Sequence, residues 1–255
     1  MLNIVIPMAG RGSRFSEAHF KDPKPLIKLM GVPMINWVID NLKPNQPHKF
    51  IFICLDEHLK QYPDIETQLN TICPGCIIRK IDAVTEGAAC TVLLVRELID
   101  NDNPLMIANS DQIVSLDIDE YLAELQNSDV DGLIMTFWSD DPKWSFCRIS
   151  EAGLVTEVVE KQVVSNDATV GIYNFRRGSD FVSAADDMIS KNLRVNNEFY
   201  VAPCYNQLIK WSRKVKVKST GAEYDGMHGL GIPQDLAHFL TSDIFLAKYA
   251  RLMGK

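Results

Sequence analysis

A phosphate-handling pattern opens the chain. The apolar run Asn3-Ile4-Val5-Ile6-Pro7 empties into Met8-Ala9-Gly10-Arg11-Gly12-Ser13-Arg14-Phe15, with Lys24 following between Pro23 and Pro25. Glycines let backbone N–H groups approach an anion, and arginine adds fixed charge and forked donors. Two prolines hold Lys24 on a stiff extended segment, which suits a side chain that must be aimed. A triphosphate is the anion these parts fit. The bland alternative is a solvent-facing basic loop. Two familiar nucleotide loops are excluded. The third glycine of a dinucleotide fingerprint is Phe15 here, with no acidic ribose anchor about twenty residues on, and no GK[ST] follows for a Walker loop.

Three further constellations carry candidate chemistry. Asn109-Ser110-Asp111 ends the apolar run at 104–108, so its carboxylate faces the crevice beyond the sheet, unless it serves only as a cap or turn. Glu160-Lys161 closes the alternating run at 155–161; its alternative is a solvated ion pair on a strand. Glu86-Gly87-Ala88-Ala89 opens a helix, where glycine serves either ligand approach or helix-start packing.

The elements that must place these groups follow from patterning. Strands are expected at 3–7, 49–54, 76–81 and 104–108, with helices at 34–42, 57–72 and 86–98 between them. In the first helix Ile35, Val38, Ile39 and Leu42 share one face. Residues 10–32 read as a long loop with one helical turn. This alternation is the βαβ pattern of a mostly parallel sheet. Strands at 133–137, 145–149, 154–160 and 168–175 leave little room for helices and imply an antiparallel or mixed extension. Helices at 178–189, 200–211 and 234–252 and a strand at 214–218 complete the chain. The expected organisation is one α/β domain with two lobes, about 1–130 and about 131–255, the change falling between 112 and 144.

Totals set bounds. A chain of 255 residues, 46% hydrophobic and 23% charged, can bury a substantial core. A net charge of −7 speaks against a general polyanion binder, so no nucleic-acid partner is expected. The six cysteines are scattered, and Cys73-Pro74-Gly75-Cys76 lacks the second pair a zinc site needs, so reduced thiols are expected. No basic leader precedes the first strand and no apolar run reaches the ~18–20 residues of a membrane span; a soluble, cytoplasmic protein without membrane insertion is expected.

The segment Ala9-Gly10-Arg11-Gly12-Ser13-Arg14-Phe15, then Pro23-Lys24-Pro25-Leu26 and Gly31-Val32-Pro33-Met34, resembles the sugar-phosphate nucleotidyltransferase (nucleotide-sugar pyrophosphorylase) family in order and spacing. That family's signature runs A-G-x-G-[ST]-R-[LFM], P-K-P-L and G-x-P-[ML]. The chain is most similar to its short, capsule-type members without a β-helix domain. The resemblance implies a Rossmann-like three-layer nucleotidyltransferase (GT-A-like) fold, with a mostly parallel mixed sheet and a smaller acceptor-binding β extension. It implies transfer of an NMP group from a nucleoside triphosphate to a phosphorylated acceptor, a sugar 1-phosphate or a phospho-alcohol or phospho-amino acid, with release of pyrophosphate. Cytidylyl transfer and cell-surface polysaccharide synthesis are the expected variant and setting; a homo-oligomer is left open.

Roles then attach to positions. Ala9, Gly10, Gly12 and Ser13 would wrap the phosphates, Arg14 would neutralise pyrophosphate, and Lys24 would act at the α-phosphate. Glu86, Gly87 and Ala88 would form the nucleobase segment. Asp111 would hold Mg²⁺. Glu160 would contact acceptor hydroxyl or amine groups, Lys161 its phosphate, and Gly171 and Glu198 would complete the acceptor site. Gln162 stands where the family has proline. The larger departure is Gly229, where the family carries its second metal-binding aspartate; Asp225 and Glu198 are the nearest replacements, and Asp235 reads as a cap-region residue of the last helix. His228 reads as structural. The rivals are a GT-A-type glycosyltransferase, which needs no such opening loop, and a non-catalytic nucleotide-binding protein.

Overall fold

The computed structural model describes residues 1–10, 15, 20 and 22–253. In chain order the first half supplies β1 (Leu2–Pro7), the small hairpin β2 (Lys28–Leu29) and β3 (Val32–Pro33), α1 (Met34–Leu42), β4 (His48–Leu55), α2 (Asp56–Gln61), α3 (Asp64–Ile72) and β5 (Ile77–Ile81). Then come α4 (Ala88–Leu93), α5 (Arg96–Ile99), β6 (Leu105–Ala108), β7 (Gln112–Val114) and α6 (Ile118–Asn127). The second half adds β8 (Gly132–Trp138), β9 (Ser145–Ile149), β10 (Val155–Glu160), β11 (Asp167–Phe175), α7 (Gly178–Ser190), α8 (Tyr205–Lys210), β12 (Val215–Glu223), β13 (Gly226–Gly229), α9 (Pro233–Leu240) and α10 (Asp243–Leu252).

One sheet runs β5-β4-β1-β6-β11-β8-β12-β13-β7, with β9 and β10 attached beside β11. The strands β5, β4, β1 and β6 are parallel, and β11 enters antiparallel between β6 and β8. The mostly parallel mixed sheet is thus as expected. Strand periodicity builds the three layers. Ile4, Ile6, Phe50 and Phe52 face α1, α6 and the C-terminal helices, whereas Val5, Ile51, Ile53 and Ile107 face α4, α7 and α8. Trp37 of α1 stacks on Phe245 of α10 at 5.1 Å, docking the last helix on the first layer. Phe15 is buried in that layer, so the position that speaks against a dinucleotide loop is occupied by a core side chain.

Four expected helices are interrupted, each for an identifiable reason. Pro63 has no N–H to continue a helix, so the segment at 57–72 divides into α2 and α3. Pro203 sits in a 3-10 turn, Ala202–Cys204, ahead of the shorter α8. Ser242 starts a new helix by accepting from the Phe245 N–H, so the expected 234–252 helix becomes α9 and α10. The segment at 86–98 also divides, through i→i−3 bonds at Leu94 and Val95. The structure adds α6, capped by Asp117 on the N–H groups of Asp119 and Glu120, and the short strands β7 and β13.

All six cysteines are free, as expected, and burial pushes the Cys54 and Cys73 thiols up to about 12. Among the described residues no helix is long and apolar enough to cross a membrane.

Candidate active site

Three cavities lie beyond the carboxyl ends of β1 and β6, where a parallel sheet presents ligand sites. The first, about 580 Å³, is bounded by Ala9 and Gly10 after β1, by Thr85 and Gly87 before α4 and by Ala88 at its start. Met8 donates its N–H to the Ile53 carbonyl at 2.8 Å, so the end of β1 is still held to β4 where the chain leaves the sheet. A Cβ on Gly10 would meet nothing within 4 Å, leaving backbone open to the cavity. Gly12, Ser13 and Arg14 lie outside the described residues.

Gly87 has a different reason to be glycine. Its φ is +135°, and a Cβ there would lie 2.4 Å from the Phe199 carbonyl oxygen. The Phe199 N–H donates to Glu86 O at 2.8 Å, and the Ala89 N–H donates to Phe199 O at 3.0 Å. The missing side chain therefore admits the backbone of another segment, which is the packing alternative. The Glu86 side chain is exposed and pairs with Arg194 at 3.1 Å, away from the cavity lining.

The second cavity, about 350 Å³, is built around Asp111. Lys24 opens a 3-10 turn, Lys24–Leu26, whose Pro25 and Leu26 are buried, so its stem is anchored. Its Nζ donates to Asp111 Oδ2 at 2.7 Å. Asp111 follows β6 and is tied down through its backbone carbonyl, which accepts from the Leu230 N–H at 2.7 Å. Across from it, a Cβ on Gly231 would lie 3.1 Å from Asp111 Oδ2, and a Cβ on Gly229 would lie 3.3 Å from Asp235 Oδ2. Two carboxylates thus flank a turn in which Gly229 and Gly231 leave the space beside them open, while the Leu230 between them is buried in the core.

Asp235 stands in the cap region, where it is expected. It does lie in the first turn of α9, but it makes no capping bond; its Oδ1 accepts from the Tyr224 hydroxyl at 2.7 Å. Of the expected replacements, Asp225 is exposed at the β12–β13 turn and Glu198 lines the other two cavities. His228 is buried against Phe239, and burial lowers its pKa, consistent with a structural role. Among the described residues no group of three or more His, Cys, Asp or Glu has metal-holding geometry. The donors on offer are the two hard carboxylates, a set that suits Mg²⁺ when phosphate and water complete its shell.

The third cavity, about 390 Å³, gathers Glu160, Lys161, Gly171 and Glu198 as expected. β9 and β10 pair Glu160 with Ser145, whose hydroxyl donates to the Glu160 carboxylate. Burial raises the Glu160 pKa; Ser145 and Lys161 pull it down, and the Glu198 charge pushes it further up. Lys161 has φ +57° and donates through Nζ to the Tyr200 hydroxyl at 2.7 Å. Gly171 (φ +95°) falls where β11 bulges against β8. A Cβ there would lie 2.3 Å from Asn109 Nδ2 and 3.0 Å from Gln112 Oε1, so the glycine lets two amides into the cavity floor.

Ala88, Asn109 and Glu198 line both the first and third cavities, whereas Gln112, Lys143 and Trp144 line both the second and third. The three cavities are therefore joined in one continuous region, which brings Gly10, Gly87, Asp111 and Glu160 together and leaves Glu86 outside its lining. Gln112, Lys143 and Trp144 were not expected. Asp141-Pro142-Lys143-Trp144 does carry a legible signal, an aromatic beside a lysine in a proline turn, and Lys143 Nζ is held by Glu223 at 2.9 Å.

Residues 4–199 match the model of the nucleotidyl transferase family. The chain is 22% identical over 242 residues to a UTP–glucose-1-phosphate uridylyltransferase of Haloferax volcanii, covering 92% of this chain and 93% of that one. Among solved structures it is similar to a nucleoside-diphosphate-sugar pyrophosphorylase from Vibrio cholerae RC9, with TM-score 0.77, 25% identity, and coverage of 94% of this chain and 100% of that one. The inositol-1-phosphate CTP transferase from T. maritima shares the fold at TM-score 0.72, with 15% identity and coverage of 95% of each chain.

Proposed function

The chain belongs to the nucleotidyl transferase family, and we propose that it moves an NMP group from a nucleoside triphosphate to the phosphate of a small acceptor, releasing pyrophosphate. The carrying observation is the junction of a glycine-bounded cavity with a Glu/Lys-lined one through Ala88, Asn109 and Glu198, beside the Lys24–Asp111 pair. One cavity suits a triphosphate and the other a polar phosphorylated acceptor.

An acceptor phosphate oxygen, already anionic, attacks the α-phosphorus. The new O–P bond forms as the bond from Pα to the bridging oxygen breaks, and pyrophosphate leaves with that electron pair. No general base is needed, so the residues position and neutralise. Lys24 meets the α-phosphate with its ammonium, and Arg14 the leaving pyrophosphate. Lys161 orients the acceptor phosphate. Glu160 and Glu198 bind the acceptor body, with Gly171 shaping the floor. Ala9, Gly10, Gly12 and Ser13 offer backbone donors, and the nucleobase lies against Gly87 and Ala88, Glu86 being engaged with Arg194 instead. Asp111 and Asp235 would hold Mg²⁺, which supplies charge neutralisation on the triphosphate oxygens.

On this reading residues 1–255 form one domain with a nucleotide lobe and an acceptor lobe, working in the cytoplasm, where triphosphates are supplied. CTP is the first nucleotide to try, and an activated sugar or phospho-alcohol for cell-surface polysaccharide is the expected product. Pyrophosphate release measured across CTP, UTP, dTTP and GTP with glucose 1-phosphate and inositol 1-phosphate tests the reading. Release that requires an acceptor supports it. Release of a nucleoside diphosphate from a nucleotide sugar instead would support the glycosyltransferase.

A further inference from the structure

The acceptor cavity and the Asp111 cavity meet along Gln112, Lys143 and Trp144, and of these three only Lys143 carries charge. The turn that presents it is specified locally. Pro142 fixes φ after Asp141, whose carboxylate accepts the Lys143 N–H at 3.0 Å; Trp144 donates its N–H to the Asp141 carbonyl at 3.3 Å. Trp144 packs edge-on against buried Phe137, with ring centroids 5.2 Å apart. The Lys143 side chain is exposed, and its Nζ lies 2.9 Å from Glu223, 3.1 Å from Asp141 and 5.0 Å from the Trp144 ring centroid. Burial works against its charge, but the hydrogen bonds to Glu223 and Asp141 outweigh it and raise the pKa, so the ammonium stays charged. Three N–H donors meet two carboxylates, which leaves one donor for a further anion.

The register of β9 and β10 sets this lysine beside another. Ser145 pairs with Glu160, and one step further out the Lys161 N–H donates to the Trp144 carbonyl at 3.0 Å. Lys143 and Lys161 thus leave the same end of one hairpin and line one cavity, and Lys143 also lines the next one together with Asp111. Transfer requires an anionic acceptor phosphate to approach an anionic triphosphate, and a cation where they meet offsets that repulsion. Resting on the reading of these cavities as the acceptor and metal–triphosphate sites, we propose that Lys143 is a further acceptor-phosphate residue, binding a phosphate oxygen through the donor that Asp141 and Glu223 leave over.

The test uses the full chain with glucose 1-phosphate, inositol 1-phosphate, phosphocholine and phosphoethanolamine, reading binding by isothermal titration and turnover by pyrophosphate release. Lys143→Met and Lys143→Gln remove the charge, Lys143→Arg keeps it, and melting temperatures verify folding. Glu223→Gln breaks the same ion pair while leaving the ammonium in place, so it separates phosphate binding from a structural role. The expected result is an acceptor KM about tenfold higher in Lys143→Met and Lys143→Gln and largely restored in Lys143→Arg. In Glu223→Gln the acceptor KM stays at or below the parent value, and the nucleotide KM is unchanged throughout. Parental acceptor affinity in a folded Lys143→Met, an equal loss in Glu223→Gln, or an equal rise in nucleotide KM overturns the inference while leaving nucleotidyl transfer standing. Binding that depends on Lys143 without pyrophosphate release overturns the transfer reading and supports the inference. Binding of none of the four overturns both.

Discussion

The Lys24 ammonium rests 2.7 Å from the Asp111 carboxylate, joining a proline-braced turn near the start of the chain to the end of a central strand 87 residues later. Both side chains are partly buried, at 24% and 14% exposed. Each charge is thereby kept in place by the other before any triphosphate arrives. On the proposed reaction the ammonium exchanges this carboxylate for a phosphate oxygen, and the carboxylate is released toward the cation.

Removing Lys24 separates chemistry from stability. The pair is reached by solvent, so its loss costs about 1 kcal/mol of folding stability. The lost charge at the α-phosphate lowers kcat by about a hundredfold to a thousandfold. Stopped-flow or steady-state rates on Lys24→Ala, beside its melting curve, check both figures.

Gly87→Ala is expected to act on the fold first. A methyl would stand 2.4 Å from the Phe199 carbonyl at a φ of +135°, a cost of about 3 kcal/mol. Thermal denaturation without ligand should show a lower midpoint. A normal midpoint with weakened nucleotide binding would instead favour the approach of a base as the reason for the glycine.

Asp235 is predicted to contribute to cation affinity although it sits six residues from Gly229. In Mn²⁺ titrations followed by electron paramagnetic resonance, Asp235→Asn should bind more weakly than the parent protein. Tyr224→Phe, which removes the hydroxyl that orients Asp235, should lose about tenfold. Asp225→Asn, on the exposed turn, should leave binding unchanged.

The acid limb of the acceptor's kcat/KM profile should report Glu160. Burial raises its pKa above the usual glutamate value, so the carboxylate form emerges only as pH rises through that elevated value. The same shift has a stability counterpart with the opposite slope: the contribution of the protonated side chain is complete below the unfolded pKa and is lost as pH rises through the folded one. Glu160→Gln should remove the limb and raise acceptor KM. Glu198→Gln should move the limb to lower pH, because a like charge beside Glu160 is gone.

Local pattern made the elements legible where local forces decide them. The helix Met34–Leu42 and the strand Ser145–Ile149 fall as their periodicity indicates. The chemistry-bearing positions at strand ends, Asp111 and Glu160, were equally readable, because topology sends such residues to one crevice. The signal for α6 was present in Asp117 ahead of Ile118, Tyr121, Leu122 and Leu125. The short β7 and β13 have too few residues to show a period, and their pairing of His228 with Ile113 is long-range. That same pairing brings Gly229 and Asp235 toward Asp111, which no spacing along the chain reveals. The glycine at 87 reads in the sequence as either ligand approach or helix-start packing, and the close backbone of Phe199 is what distinguishes the two; at Gly171 the two amides that fill the missing side chain's space are likewise visible only through tertiary contact.

Transfer of label from a nucleoside triphosphate carrying ³²P at the α-phosphate tests the central claim most directly. With the acceptor that binds, the label should pass into a nucleotidyl-acceptor product as unlabelled pyrophosphate appears in equal amount, and Lys24→Ala should slow both together. Label recovered as free nucleoside monophosphate, or left in the triphosphate while acceptor and metal are bound, would contradict nucleotidyl transfer at this site.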